Sequence, residues 1–208
     1  MCFIINLIPI GVILENRFLW DHYSDQPHVI KDKQFKIRMK KRYFGEYVKM
    51  FFSSAVILPL ASLIMKLFKG DKSLEIGLCV NLDKGLGQAQ LIEDLGVKNL
   101  LIRVPLWDME NLTNYVEFAK SFGSDKKIVI GVLQDRENIE NLELFEANIK
   151  AIFSAFCPIT HEFQIGNAIN RTKWGFFAMS EYVHFYQIAQ KIRDEFYPEI
   201  VLIGPSII

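Results

Sequence analysis

The residues best equipped for chemistry lie together at 163–175, which read FQIGNAINRTKWG. Asn167 and Asn170 each carry an amide that both donates and accepts hydrogen bonds. Arg171 and Lys173 add positive charge, and Trp174 adds a flat apolar face. A saccharide presents hydroxyls to such amides and a C–H face to such a ring, so carbohydrate is the ligand class this set fits. Arg103, in IRVPLWD, is a further cation at the end of an apolar run. Asp108, Asp135 and Glu137 follow apolar runs and are the candidate acids. Asp135 also suits a helix N-cap, and Asp108 a helix start. Glu162 falls early in its run and reads as structural.

Other chemistries find less support. His22, His28, His161 and His184 form no HxxxH or HxH pair, and Cys2, Cys79 and Cys157 lack ligand spacing, so no metal site is expected. Residues 85–90 (GLGQAQ) supply two of the three small positions of a dinucleotide fingerprint. Arg103 stands where that fold wants an acid, and no cofactor is expected. The 24 basic and 24 acidic side chains cancel, which removes any global case for nucleic-acid binding.

The elements that must position these residues alternate. Apolar runs at 75–81, 99–105, 127–133, 161–166 and 200–204 read as five buried strands. Between them, helical spacing places Ala89, Leu91, Ile92 and Leu95 on one face, then Leu112, Tyr115, Val116, Ala119 and Phe122. Phe145, Ile149, Ile152, Phe153 and Phe156 mark a third helix. A fourth runs to Phe196 from Ser180 as N-cap. Repeated strand–helix–strand units predict a parallel sheet. It is either a doubly wound open sheet or part of a (β/α)8 barrel. A full barrel takes about 250 residues, roughly twice the length of 75–208, and the apolar ending GPSII reads as a cut.

The segment QIGNAIN resembles the strand-four signature of clan A glycoside hydrolases, most closely the QIGNEIN pattern of the endo-β-1,4-galactanases. The resemblance covers residues 75–208 and implies a partial (β/α)8 TIM barrel of about five βα units. In that pattern the Glu after Asn is the general acid/base, and the Asn binds a sugar hydroxyl. Asn167 matches the Asn; Ala168 stands in place of the Glu. Arg103 resembles the arginine that supports the nucleophile in these enzymes. A retaining glycosidase needs two carboxyls about 5–5.5 Å apart. Ala168 cannot titrate, and the family's nucleophile lies on a seventh strand, beyond the five read here. The resemblance therefore implies a catalytically impaired, carbohydrate-binding protein of the cell envelope, with Arg103, Asn167, Asn170 and Trp174 on its binding rim. The alternatives are an active glycosidase or transglycosidase using Asp108 or Asp135 as a replacement acid, and a membrane-tethered scaffold without sugar affinity.

The first seventy residues differ from the rest. Residues 31–50 carry eight basic side chains against Asp32 and Glu46, a net charge of +6. Apolar runs at 1–14 and 51–65 flank them, each short of the roughly 20 residues that span a bilayer. Pro59 is expected to kink the second. Residues 39–70 read as a basic and apolar membrane-proximal helix; the alternative is a buried helix of a cytoplasmic protein. Met39-Lys-Lys-Arg before an apolar run has the form of a natural start, which would leave 1–38 as a non-native or disordered extension.

Overall fold

A computed structural model describes residues 20–21, 24–67, 76–85 and 87–207. A short antiparallel hairpin comes first, β1 (Trp20–Asp21) and β2 (Gln26–Pro27). Two helices follow, α1 (Lys33–Arg42) and α2 (Phe44–Leu67). The main body is β3 (Gly77–Val80), α3 (Gln88–Leu95), β4 (Asn99–Pro105), α4 (Leu112–Lys120) and β5 (Lys127–Leu133). It continues with α5 (Arg136–Glu140), α6 (Leu142–Phe156), β6 (Glu162–Ile165), α7 (Met179–Phe196) and β7 (Val201–Ile203).

The five main strands are parallel and lie in the order β3-β4-β5-β6-β7. The order follows the sequence with no reversal. The doubly wound alternative is thereby corrected, because such a sheet needs a switch point where the order turns back.

Alternation along the strands divides the two faces. Val80, Ile102, Ile130 and Phe163 pair in one row, and all four are buried. They meet Ile92 of α3, Phe118 of α4, Ile149 and Phe153 of α6, and Phe185 and Ile192 of α7. Phe145 and Phe185 stack with ring centroids 3.6 Å apart across the α6–α7 seam. Burying each of these rings contributes about 2–3 kcal/mol. The opposite face is only half covered. There Arg103, Gly131, Gln164 and Ile203 form a row one residue out of phase with the core.

Two local readings need correction. Ser180 is not the N-cap of α7: the helix begins two residues earlier than that cap implies, Ala178 holds the cap position, and Ser180 Oγ instead donates to Glu46 at 2.8 Å. The third helix has a separate five-residue forerunner, α5, because Asn141 leaves the helical conformation and caps α6 by accepting the Leu144 amide. Pro59 lies within α2, which continues to Leu67.

The N-terminal elements pack on the main body. Phe35 and Met39 of α1 are buried with Ile30 against Phe177, and the Phe35 and Phe177 rings meet edge to face at 5.5 Å. Beyond its first turn α2 is exposed: Phe51, Phe52, Val56, Ile57, Leu58, Leu63 and Met65 all face outward. By length and composition α2 is the one described helix able to cross a membrane.

Candidate functional site

The C-terminal ends of β3, β4 and β5 open onto a cleft of about 490 Å³, a volume ordinary for a small-molecule site. Arg103 enters it from the half-covered face of β4. Its Nη1 donates to Asp25 Oδ2 at 2.5 Å, with each side chain about 24% exposed. Asp25 sits in the hairpin turn with φ +57, a left-handed conformation that Asp tolerates better than most residues. The same carboxylate oxygen accepts from Asn81 Nδ2 at 2.5 Å, at the end of β3. Residues 20–21 and 24–27 are thus laid across the cleft, and Lys173 Nζ donates to Gln26 Oε1 at 2.5 Å to pin their far end.

Two tryptophans wall this space. Trp107 follows β4 in the 3₁₀ turn Leu106–Asn111, and its ring lies 5.0 Å from that of Trp20. Asp108 lines the cleft beside them, accepting from Asn111 Nδ2 at 2.5 Å and from the Tyr115 hydroxyl at 2.8 Å. Burial, and then the hydrogen bond to Asp108, push the Tyr115 hydroxyl well above its ordinary range.

The 166–175 segment is held from behind by Gln134, a fully buried residue one position past β5. Gln134 Nε2 donates to the carbonyls of Asn167 (2.8 Å) and Trp174 (2.9 Å), and its Oε1 accepts the Asn167 amide at 2.9 Å. Ser206 donates to Asn167 Oδ1, and its Oγ accepts the Ala168 amide at 3.0 Å. Gly175 has φ +104, and a Cβ there would stand 2.9 Å from Ile139 Cδ1, so glycine is required.

The structure separates the four candidate rim residues. Arg103 lines the cleft. Asn167 is buried beneath the rim, and Asn170 is exposed outside the cleft lining. Trp174 is 2% exposed and packs on Leu133, Ala168 and the edge of Trp20 at 5.7 Å. Its ring therefore offers no open face for stacking; Trp20 and Trp107 line the cleft instead. Ala168 is 0% exposed with φ +45, so the position the resemblance assigns to the acid/base is sealed.

Of the candidate acids, only Asp108 reaches the cleft. Asp135 is buried and caps α5 by accepting the Asn138 amide at 2.7 Å. Burial raises its pKa against the pull of the Asn138 bonds. Glu137 is exposed on α5, and Glu162 pairs with Lys127 at 3.0 Å away from the rim. Asp25, Asn81, Trp20, Trp107 and Gln134 escaped the sequence reading. Asn81 and Trp107 follow strand ends and were detectable by that position alone. Trp20 and Asp25 lie in the stretch set apart as an extension.

Among the described residues, three buried polar atoms at this end of the sheet have no hydrogen-bond partner: Asn81 Oδ1, Asn167 Nδ2 and the Trp174 indole nitrogen. Leaving such a group unpaired costs about 1–3 kcal/mol, so each calls for a partner outside the described residues. At the opposite end, Cys157, His161 and Glu199 bring their ligand-type atoms within 4.8 Å of one another, a grouping the linear spacing concealed. No protein-family model matches the chain, and no curated protein matches it.

Proposed function

We propose that this chain is a glycoside hydrolase-like protein built on part of a (β/α)8 barrel, that its rim cleft binds carbohydrate, and that its hydrolytic chemistry is impaired. The cleft carries the reading: aromatic walls from Trp20 and Trp107 stand beside Arg103, Asp25 and the orphaned Asn81 carbonyl oxygen. A sugar ring would set its C–H face on the indoles and give a hydroxyl proton to Asn81. Arg103 would donate to a ring oxygen from the side that Asp25 leaves open. Strands in sequential order, with helices against one face, fit a barrel segment. The buried Ala168 fits the loss of the acid/base group. The bare apolar helix α2 fits attachment to a membrane, in keeping with a protein of the cell envelope.

The test is calorimetric titration of the full chain with β-linked oligosaccharides, alongside Trp107→Ala. Binding by the wild type that weakens at least tenfold in Trp107→Ala supports the reading. No binding across the panel would leave a membrane-tethered scaffold. A second reading rests on Asp108, which shares the cleft with Asp25. There the protein is an active glycosidase, and it would cleave an activated aryl glycoside in a manner abolished by Asp25→Asn or Asp108→Asn. We expect no cleavage above background.

A further inference from the structure

We propose that α2 docks the protein onto one leaflet of an anionic membrane without crossing it, leaving both flanks of the helix on the same side. The inference rests on the membrane-attachment reading above and adds its topology and lipid class. The decisive observation is where the two flanks sit. On the N-terminal side, the Tyr43 hydroxyl donates to Glu181 at 2.7 Å, Ser180 to Glu46 at 2.8 Å, and the Tyr47 hydroxyl to the Phe177 carbonyl at 2.5 Å. Further back, Asp25 pairs with Arg103. All of these partners belong to the body formed by residues 76–207, which is the C-terminal flank. A single crossing by α2 would place the bilayer between residues 24–43 and the surface they pack on.

A second crossing cannot restore the arrangement. Residues 68–75 are the only link between α2 and the strand that follows. To restore it, these residues would have to run back through the roughly 30 Å hydrocarbon core. They include Lys69, Asp71, Lys72 and Glu75, which such a core excludes. The first turn of α2 is bonded to the main body, and its remainder, apolar on every side, is covered once it sinks below the headgroups of a single leaflet.

Charge identifies the leaflet. Helix α1 buries Phe35 and Met39 and leaves Lys33, Arg38, Lys40, Lys41 and Arg42 exposed immediately before α2. Lys49 and Lys66 bracket the apolar stretch and are exposed, positioned to reach headgroups. Anionic phospholipid complements this cluster, whereas a second copy of the helix pair would bring like charges together.

The experiment has two arms on the full chain. In the first, flotation with vesicles of phosphatidylcholine alone or with 30 mol% phosphatidylglycerol measures attachment. We expect anionic vesicles to be preferred, and the quadruple variant Lys33→Gln, Arg38→Gln, Lys40→Gln, Lys41→Gln to bind at least about tenfold more weakly. In the second, Ser24→Cys and Glu195→Cys, in a background with the native cysteines changed to serine, are labelled by an impermeant maleimide in sealed membranes from expressing cells. We expect both positions to label from the same side. Labelling from opposite sides overturns the single-leaflet topology while leaving membrane attachment standing. Absence of flotation, including a soluble dimer that shields α2, overturns attachment itself. Equal binding to neutral and anionic vesicles overturns the choice of lipid.

Discussion

Replacing Arg136 by Met tests the buried ion pair on which the root of the N-terminal helices rests. Arg136 and Glu181 are 4% and 9% exposed and meet at 2.8 Å. The guanidinium also pairs with Glu140 at 2.8 Å, donates to the Gly175 carbonyl at 2.9 Å, and lies 5.5 Å from the centre of the Phe177 ring. Met fills much of the volume but strands the Glu181 carboxylate, which keeps only the Phe177 amide and the Tyr43 hydroxyl. Removing one partner of a buried pair costs about 3–5 kcal/mol, or roughly 6–20 °C in Tm for a chain of this size. The pH dependence sharpens the test. Burial works to raise the Glu181 pKa, but the bonds and charge of Arg136, with the Phe177 amide and Tyr43, outweigh it and hold the carboxyl below its ordinary 4.5. A depressed carboxyl pKa contributes stability above 4.5 that is lost as pH falls through the lower folded value. Without Arg136 burial prevails, the pKa rises, and protonation relieves the stranded charge. The gap between variant and wild type should therefore be widest near pH 7 and narrow steadily toward pH 4. Urea unfolding at several pH values reads it directly. A loss below about 1 kcal/mol at pH 7, or one that is constant with pH, refutes the account.

Three further outcomes follow from the rim. Ala168→Glu should restore no glycosidase activity and should lose at least about 3 kcal/mol in urea unfolding, because it drives a carboxylate into a sealed pocket against Leu133 and Trp174; wild-type stability would mean that the position opens to the cleft. Gln134→Leu strips the Asn167 amide and the Asn167 and Trp174 carbonyls of their partner, and should cost about 3 kcal/mol or more; an unchanged melting curve would show that the clamp is dispensable. Asp25→Asn should change global stability by no more than about 1 kcal/mol, since the pair with Arg103 is partly exposed. It should nevertheless speed proteolytic cutting within 20–32, and an unaltered cutting rate would mean that the hairpin is held by other contacts.

The sheet was legible because its strands are short apolar runs, most of them ended by a polar residue or glycine, and local pattern suffices for that. β4 and β5 fall where 99–105 and 127–133 were read. Helix α3 matches 88–95, where Gly96 supplies the left-handed C-cap. Asp135 was recognisable as a cap because capping is a local contact. The cleft was not legible to the same degree. Asp25 reaches Arg103 across 78 positions and Gln26 reaches Lys173 across 147, and no periodicity encodes such pairings. Trp174 was read as a surface platform because a loop tryptophan beside charged residues has that profile. The structure covers it with a residue from the far end of the chain. Gln134 gave no signal, since one glutamine after a strand looks like any polar stop until its three hydrogen bonds are seen.

The segment 174–177 explains why cleft and apolar helix behave as one part. Its polar groups are claimed in turn by different elements. The Trp174 carbonyl accepts from Gln134 behind β5, and the Gly175 carbonyl accepts from Arg136 on α5. The Phe177 amide donates to Glu181 on α7 at 2.7 Å, and the Phe177 carbonyl accepts from Tyr47 on α2. Displacing this stretch would break four hydrogen bonds together, at least two of them to charged groups, which are the stronger kind. Residues 174–177 thus join the rim to the root of α2 directly. A domain hung on a flexible stalk would sample many orientations relative to its anchor. Here the first turn of α2 is bonded to the same loop that backs the cleft, so the direction in which the cleft faces is set once α2 is held.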